Sequence, residues 1–501
     1  GLGVSTAARL IDENFKPAII CPKNKLTLIL CTRSLSKTHY TISRLKTHIR
    51  SLVKSSYASR EQTSSNVHGQ EFKPHPIFES IRFLGVEVDL CDLKNVYALA
   101  YKLVNGTAGD YSASSTNINL SPGNTTKKEG NASQKSVLCG EPAFWGGIPS
   151  SFQLPRIDAI LLTAAIGGWK GIAMLPALKE FFFDMIEAVT WPTYKIANVG
   201  MVVKPQSSFT CGIGSNSSEK LEEPPLGQVF CANVFGHYIL AHELMPLLSR
   251  KALPSSCYGG KIIWVSSLEA FSESLSIDDL QGLKSLTPYE GSKRLIDLLV
   301  LTSYLPSVKK LSEPFFDVSR TVSGRRFTSE EADSSNTILV KPRNYLVHPG
   351  IFVSEIMPLN FIIVAICKLV FYIARWIGSP WHTIDPYKAA IASVCLVLTE
   401  SEKLEEIEEH GTAKVKWGSA TNSSGIEKFV KTEVPGWGWD GHIDSVIDEN
   451  KLRGRKRDAV PLRSEAKEDF ELSGGQCWKL MEDLRHEWET VLGYESLKSS
   501  N

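Results

Sequence analysis

The sequence predicts a doubly wound α/β fold built on a parallel sheet, and three observations carry that prediction. Short apolar runs of strand length alternate with stretches of helical spacing through residues 1–400. A small glycine turn, Gly1-Leu2-Gly3, leads straight into the first helical pattern. The stretches that break the rhythm are polar, and they read as insertions rather than as further layers.

Taken in order, Ser5–Phe15 (STAARLIDENF) sets apolar residues on one face of a helix. Lys25–Cys31 (KLTLILC) is a buried-strand run, followed by Thr32-Arg33-Ser34, and Ser36–Ser55 has helical spacing with a basic face. Ile81–Leu90 is the next strand and Leu93–Val104 the next helix. Strands at Ile157–Ala164 (IDAILLTA), Ile262–Ser267 (IIWVSS) and Asn344–Val347 complete the series, each followed by a helical stretch. Strands in this alternation pair in parallel through right-handed crossovers, which places ligands at their carboxyl ends.

Insertions are expected near 105–151, 204–225 and 313–336, all polar, as surface loops. From about residue 401 charge density rises and periodicity fades, so 401–501 is expected to be a charged extension that packs locally at most. The segment 359–378 (LNFIIVAICKLVFYIARWIG) is long enough to span ~30 Å of hydrocarbon, but Lys368 near its middle makes a crossing costly. A helix lying in the membrane interface is the expectation, against a buried helix over a substrate pocket or a true span.

Composition narrows the function. The chain carries 55 basic and 54 acidic residues, a net charge of +1, so no footprint for nucleic acid follows. Ten cysteines stand without a Cys-x-x-Cys pair and read as free thiols of a reducing compartment. Asn-x-Ser/Thr triplets, among them those at Asn105, Asn124, Asn131, Asn216 and Asn422, read as incidental in polar stretches. No His, Asp and Glu grouping has metal-ligand spacing, so no metal is expected.

The chemistry lies in Tyr289-Glu-Gly-Ser-Lys293. On a helix these two positions share a face. A phenol near pKa ~10 is a poor acid at neutral pH, and an adjacent ammonium brings it toward the working range. Ser266-Ser267 closes a strand and puts a hydroxyl at the sheet's carboxyl edge, where it can bond a substrate carbonyl. Asn233 lies in a helical run, Cys231–Leu247, and His348-Pro349-Gly350 with Ser354 follows the last strand.

In this order the pieces resemble the short-chain dehydrogenases, whose Rossmann-like sheet covers most of residues 1–398. The resemblance implies that Tyr289 delivers the proton, Lys293 also binds the nicotinamide ribose, Ser267 orients the carbonyl and Asn233 holds a relay water. Ser267 is preferred to Ser266 because of its spacing to Ala270. Gly1, Leu2 and Gly3 look like the end of the pyrophosphate turn, and Asp89-Leu90 resembles the adenine-contacting pair. Thr163, Pro349, Gly350 and Ser354 fall to the cofactor side as well. With Arg33 and no acid after the second strand, the cofactor implied is NADPH. The family's first strand and the start of its glycine turn are missing. Thr163-Ala164-Ala165 stands where the family has Asn-Ala-Gly. An amino-terminally truncated chain with impaired activity is therefore expected.

A narrower resemblance is to the fungal 3-ketosteroid reductases of sterol C-4 demethylation. It is carried by Ile166-Gly-Gly-Trp169, Ala188-Val-Thr-Trp-Pro192, Ser266-Ser-Leu-Glu-Ala270, Pro288-Tyr-Glu-Gly-Ser-Lys-Arg294 and Gly378-Ser-Pro-Trp-His-Thr383. It implies a 3-keto sterol reduced to the 3β-alcohol at the cytoplasmic face of the endoplasmic reticulum or a lipid droplet. The partners implied are the C-4 methyl oxidase, the C-3 decarboxylase and a membrane scaffold. Two alternatives remain: a membrane-associated reductase of retinoids or long-chain ketones, and an inactive binding protein.

Overall fold

Apolar runs of strand length become the strands of the computed structural model, which describes residues 1–15, 25–61, 77–106, 153–209, 223–251, 258–323, 339–356, 360–407, 415–443 and 452–494. In chain order the elements used below are α1 (Leu2–Phe15), β1 (Leu26–Thr32), α2 (Leu35–Glu61), β2 (Ile81–Glu87), α3 (Leu93–Asn105) and β3 (Ala159–Leu162). They continue with α4 (Gly236–Glu243), β4 (Lys261–Val265), α5 (Pro288–Thr302), β5 (Arg343–His348), α6 (Phe361–Ile377) and α7 (Ile391–Leu398). The last are β6 (Lys416–Thr421), β7 (Glu427–Thr432) and α8 (Ser464–Val491). Most of the insertion near 105–151, with Asn124, Asn131 and Asn216, lies outside the described residues, as do 210–222 and 324–338.

The chain divides into two compact units, and the division falls inside α1. One comprises Leu10–Pro155 with Pro205–Lys220. Here β1 and β2 pair in parallel from Leu26↔Ile81 to Thr32↔Glu87, and α2 packs on both strands. Asp92 caps α3 by accepting from the Asn95 amide, and the Leu93, Val96, Ala100 and Leu103 face is buried. Gln206 accepts from Leu93 N at 2.8 Å and donates to Cys91 O at 3.0 Å, so the start of the insertion near 204–225 is fastened down rather than looped out.

The other unit comprises Gly1–Arg9, Arg156–Lys204 and Leu221–Asn501. Its sheet runs β7-β6-β5-β4-β3, with β3, β4, β5 and β6 parallel and β7 returning antiparallel to β6. All five residues of β4 are buried, as a parallel strand covered on both faces requires. Ile263, Val265, Tyr345, Val347, Ala392, Leu396 and Trp417 form the core under α7. The single expected sheet is therefore divided in two: among the described residues no strand pairs with the second edge of β1 or of β3.

Two expectations need correction. Residues 401–501 are no peripheral extension, because they supply β6, β7 and α8 to the unit that holds β4 and α5. Trp478 of α8 donates to Leu299 O at 3.0 Å. A Cβ on Gly474 would stand 2.5 Å from Thr302, so only glycine lets the two helices approach this closely. The insertion near 313–336 begins as short 3₁₀ turns that bury Phe315 and Phe316. The apolar segment 359–378 forms the 17-residue α6, capped by Asn360 and ended by Gly378 at φ +117°. No helix among the described residues is long and apolar enough to cross a membrane, and one face of α6 is left exposed, including Phe361, Ile362, Leu369 and Trp376.

Candidate active site

The carboxyl end of β4 delivers two serines with opposite destinations. Ser266 N donates to Val347 O at 2.7 Å, and its hydroxyl turns inward to Asp297 Oδ1 at 2.5 Å. Ser267 turns the other way. Its side chain acts on the Tyr289 phenol, favouring its ionisation, and its hydroxyl accepts from Glu269 N at 3.2 Å. Of the pair, Ser267 is thus the one that meets Tyr289.

Helix α5 starts at Pro288, a residue suited to a first helical turn, and it is buried along its whole length. That sets Tyr289 and Lys293 one turn apart on the same face. Lys293 Nζ donates to Val265 O at 2.8 Å and lies 5.6 Å from the Tyr289 ring centre. Burial pulls the Lys293 ammonium down to about 7, with Lys416 adding to the fall and Asp297 opposing it. Burial pushes the Tyr289 phenol well above its ordinary value; Glu269 and Glu290 add to the rise and Ser267 opposes it.

Asn233 sits in a π-helical turn, Cys231–Phe235, just ahead of α4. The bulge aims its amide across to Ile166: Oδ1 accepts from Ile166 N at 2.8 Å, and Nδ2 donates to Ile166 O and Ser292 Oγ, both at 3.0 Å. Ser292 in turn donates to Tyr289 O at 2.6 Å. The side chain therefore anchors the tyrosine's helix to the segment after β3.

The cofactor-side residues separate. Gly1, Leu2, Gly3, Thr163, Pro349, Gly350 and Ser354 share a unit with the catalytic residues, whereas Arg33, Asp89 and Leu90 belong to the other. Helix α1 begins at Leu2, three residues earlier than the pattern suggests, so Leu2 and Gly3 are helical. A Cβ on Gly3 would stand 3.5 Å from Thr163 Oγ1, placing the helix's amino end beside the end of β3. Backbone amides at such an end suit a pyrophosphate, so these residues fit a dinucleotide. Gly350, at φ +67°, would push a Cβ to 2.5 Å from Trp381 O, and Ser354 is half-buried. Arg33 is exposed after β1, and Asp89 accepts from Cys91 N at 3.0 Å beside the buried Leu90.

Sequence spacing missed several buried ions. Lys416, at the start of β6, donates to Ser267 O and to Asp297 Oδ2, both at 2.6 Å. Lys195 forms ion pairs with Glu269 and Glu290 next to Tyr289. The phrases quoted above contain both glutamates, but assign them nothing. His242, Glu243 and Glu489 come within ligand distance of one another. Their oxygens already serve other donors: Glu243 takes Val322 N and Ser323, and Glu489 takes Arg485.

A buried tyrosine and lysine one turn apart on a helix, with a serine at the carboxyl end of a parallel strand, define an oxidoreductase of the short-chain dehydrogenase class. No family model matches the chain. It is 35% identical to a 3-keto-steroid reductase of Gibberella zeae over 98% of this chain and 93% of the relative. It is 36% identical to one of Aspergillus fumigatus over 98% and 92%. A 3-keto-steroid reductase of Saccharomyces cerevisiae is 34% identical over 55% of this chain and 62% of its own length. The chain belongs to the 3-keto-steroid reductase family, whose reaction calls for a nicotinamide cofactor.

Proposed function

We propose that this protein reduces the 3-keto group of a sterol to the 3β-alcohol with NADPH, in the C-4 demethylation stage of ergosterol-type synthesis. The observation that carries the reading is the buried Tyr289 beside Ser267 with Lys293 one turn along the same helix, in a chain similar along nearly all its length to 3-keto-steroid reductases. The ketone oxygen lies against the Ser267 hydroxyl, which steadies the charge that develops there. Tyr289 gives that oxygen its proton as the C=O π bond opens and the new O–H bond forms. The reduced nicotinamide, when bound, supplies the hydride that becomes the C3–H bond. Lys293, protonated, stabilises the phenolate until it takes a proton from solvent. Gly1, Leu2, Gly3 and Thr163 would hold the pyrophosphate.

The exposed face of α6 supports membrane contact at the endoplasmic reticulum or a lipid droplet, beside the oxidase, decarboxylase and scaffold of the same stage. A second helix, Met174–Phe183, also exposes apolar residues, Leu175, Phe182 and Phe183. Incubation of the purified protein with a 3-keto sterol and NADPH tests the reaction. The 3β-hydroxysterol is the expected product, and unchanged ketone under conditions where NADPH binds would contradict the proposal.

A further inference from the structure

Three of the phrases that carry the narrower resemblance converge on one buried cluster. Trp169 and Lys195 stand on a two-stranded antiparallel hairpin, Trp169–Ile172 with Lys195–Ala197. Gly167 admits the Trp169 ring against the backbone, since a Cβ there would lie 2.2 Å from it. That ring packs 4.7 Å from the Tyr289 ring, tilted by 58°. Lys195 Nζ lies 4.2 Å from the centre of the Trp169 ring and 5.4 Å from that of Tyr289. It pairs with Glu269 Oε2 at 2.7 Å and with Glu290 Oε1, and all three side chains are nearly inaccessible, at 5%, 15% and 4% exposure. Glu290 Oε2 is buried without a hydrogen-bond partner.

Each partner belongs to a different catalytic segment. Glu269 is two residues beyond Ser267, Glu290 adjoins Tyr289, and Lys195 comes from the hairpin. We propose that Lys195 is a positioning residue: clamped by both glutamates, it joins the serine loop to the tyrosine helix and fixes the Tyr289 ring against Trp169. The two carboxylates at the same time disfavour a phenolate, so the cluster holds Tyr289 as the proton-bearing acid that a reduction needs. This rests on Tyr289 being that acid. The charged groups facing it are Lys195 from the hairpin, Glu269 from the serine loop, and Glu290 and Lys293 from its own helix. The direction agrees with burial first and then Glu269 and Glu290 raising the phenol.

The test compares Lys195→Met, Lys195→Arg, Glu269→Gln and Tyr289→Phe for kcat, KM and pH profile. Lys195→Met is expected to lower kcat at least tenfold with little change in KM, and Lys195→Arg to recover most of the loss. Glu269→Gln is expected to move the phenol's own alkaline fall of kcat/KM, which lies above the one set by Lys293 near 7, to lower pH, because removing a carboxylate eases ionisation of the phenol. A purely structural contact would leave that limb in place. Should Lys195→Met fail to fold, the shift in Glu269→Gln decides. Wild-type kcat in Lys195→Met, or an unmoved limb in Glu269→Gln, overturns the positioning role while an inactive Tyr289→Phe keeps the acid assignment. An active Tyr289→Phe overturns both.

Discussion

Arg33 and Ser267 each follow a parallel strand, β1 and β4, yet their surroundings differ in kind. Arg33 is exposed after its strand, and Asp89 beyond β2 is only half-buried. Ser267 gives its carbonyl oxygen to Lys416, and in the same unit Tyr289, Lys293, Asn233, Asp297 and Lys416 are all buried, the last four bonded to named protein groups. The difference separates a residue proposed to recognise a cofactor from residues proposed to move a proton. A residue that recognises a cofactor phosphate completes its bonds with the ligand, whereas one that moves a proton is held in place beforehand. Substitutions on the two sides should therefore fail differently.

The largest effect is expected for Tyr289→Phe, which keeps the ring and removes the proton. Turnover should fall by roughly 10²-fold or more while NADPH binding survives, read by steady-state rates and fluorescence titration. Next comes Lys416→Met, which leaves Asp297 buried without its cation and should cost about 3–5 kcal/mol, read as a lower Tm. Pairing it with Asp297→Leu should restore much of the Tm but not the turnover, because Ser267 O still lacks its donor. If the double variant recovers full turnover, the Lys416 bond to Ser267 is idle.

On the recognition side, Arg33→Ala should raise the Kd for NADPH by about 10- to 100-fold and leave NADH nearly unchanged. Equal losses would remove Arg33 from the 2′-phosphate. The smallest effect is in pH. Burial depresses Lys293 to about 7, so the ammonium that stabilises the phenolate is present below that value and is lost above it. Reduction should slow as pH rises through about 7, and Lys416→Met, which removes a repelling cation, should carry that fall to higher pH.

Much of this architecture is legible in the sequence, and what escaped has a physical cause. β4 announces itself as an apolar run because both of its faces are covered, and β1 reads the same way although none of its residues is fully buried. β6 does not, since its buried positions include Lys416, Gly418, Ser419 and Thr421. Those residues are tolerated inside only because Asp297 and Ser267 bond Lys416 and because Ala389 accepts from Ser419. α8 hid in the same way: its buried side holds Glu482, Arg485 and Glu489, which pair with one another and with Tyr238. A helix with charges on its inner face reads as a solvated tail. Tyr289 and Lys293 were readable because a helix encodes their meeting locally. Lys195 was not, because its partner Glu269 is 74 residues away.

The central claim is that the Ser267, Tyr289 and Lys293 network reduces a sterol ketone at C3. A single-turnover reaction of the purified protein with C4-deuterated NADPH and a 3-keto sterol tests it most directly. The account predicts 3β-hydroxysterol carrying deuterium at C3 from the wild type and almost none from Tyr289→Phe. Deuterated product formed equally by both proteins, or by neither while NADPH is bound, would contradict it.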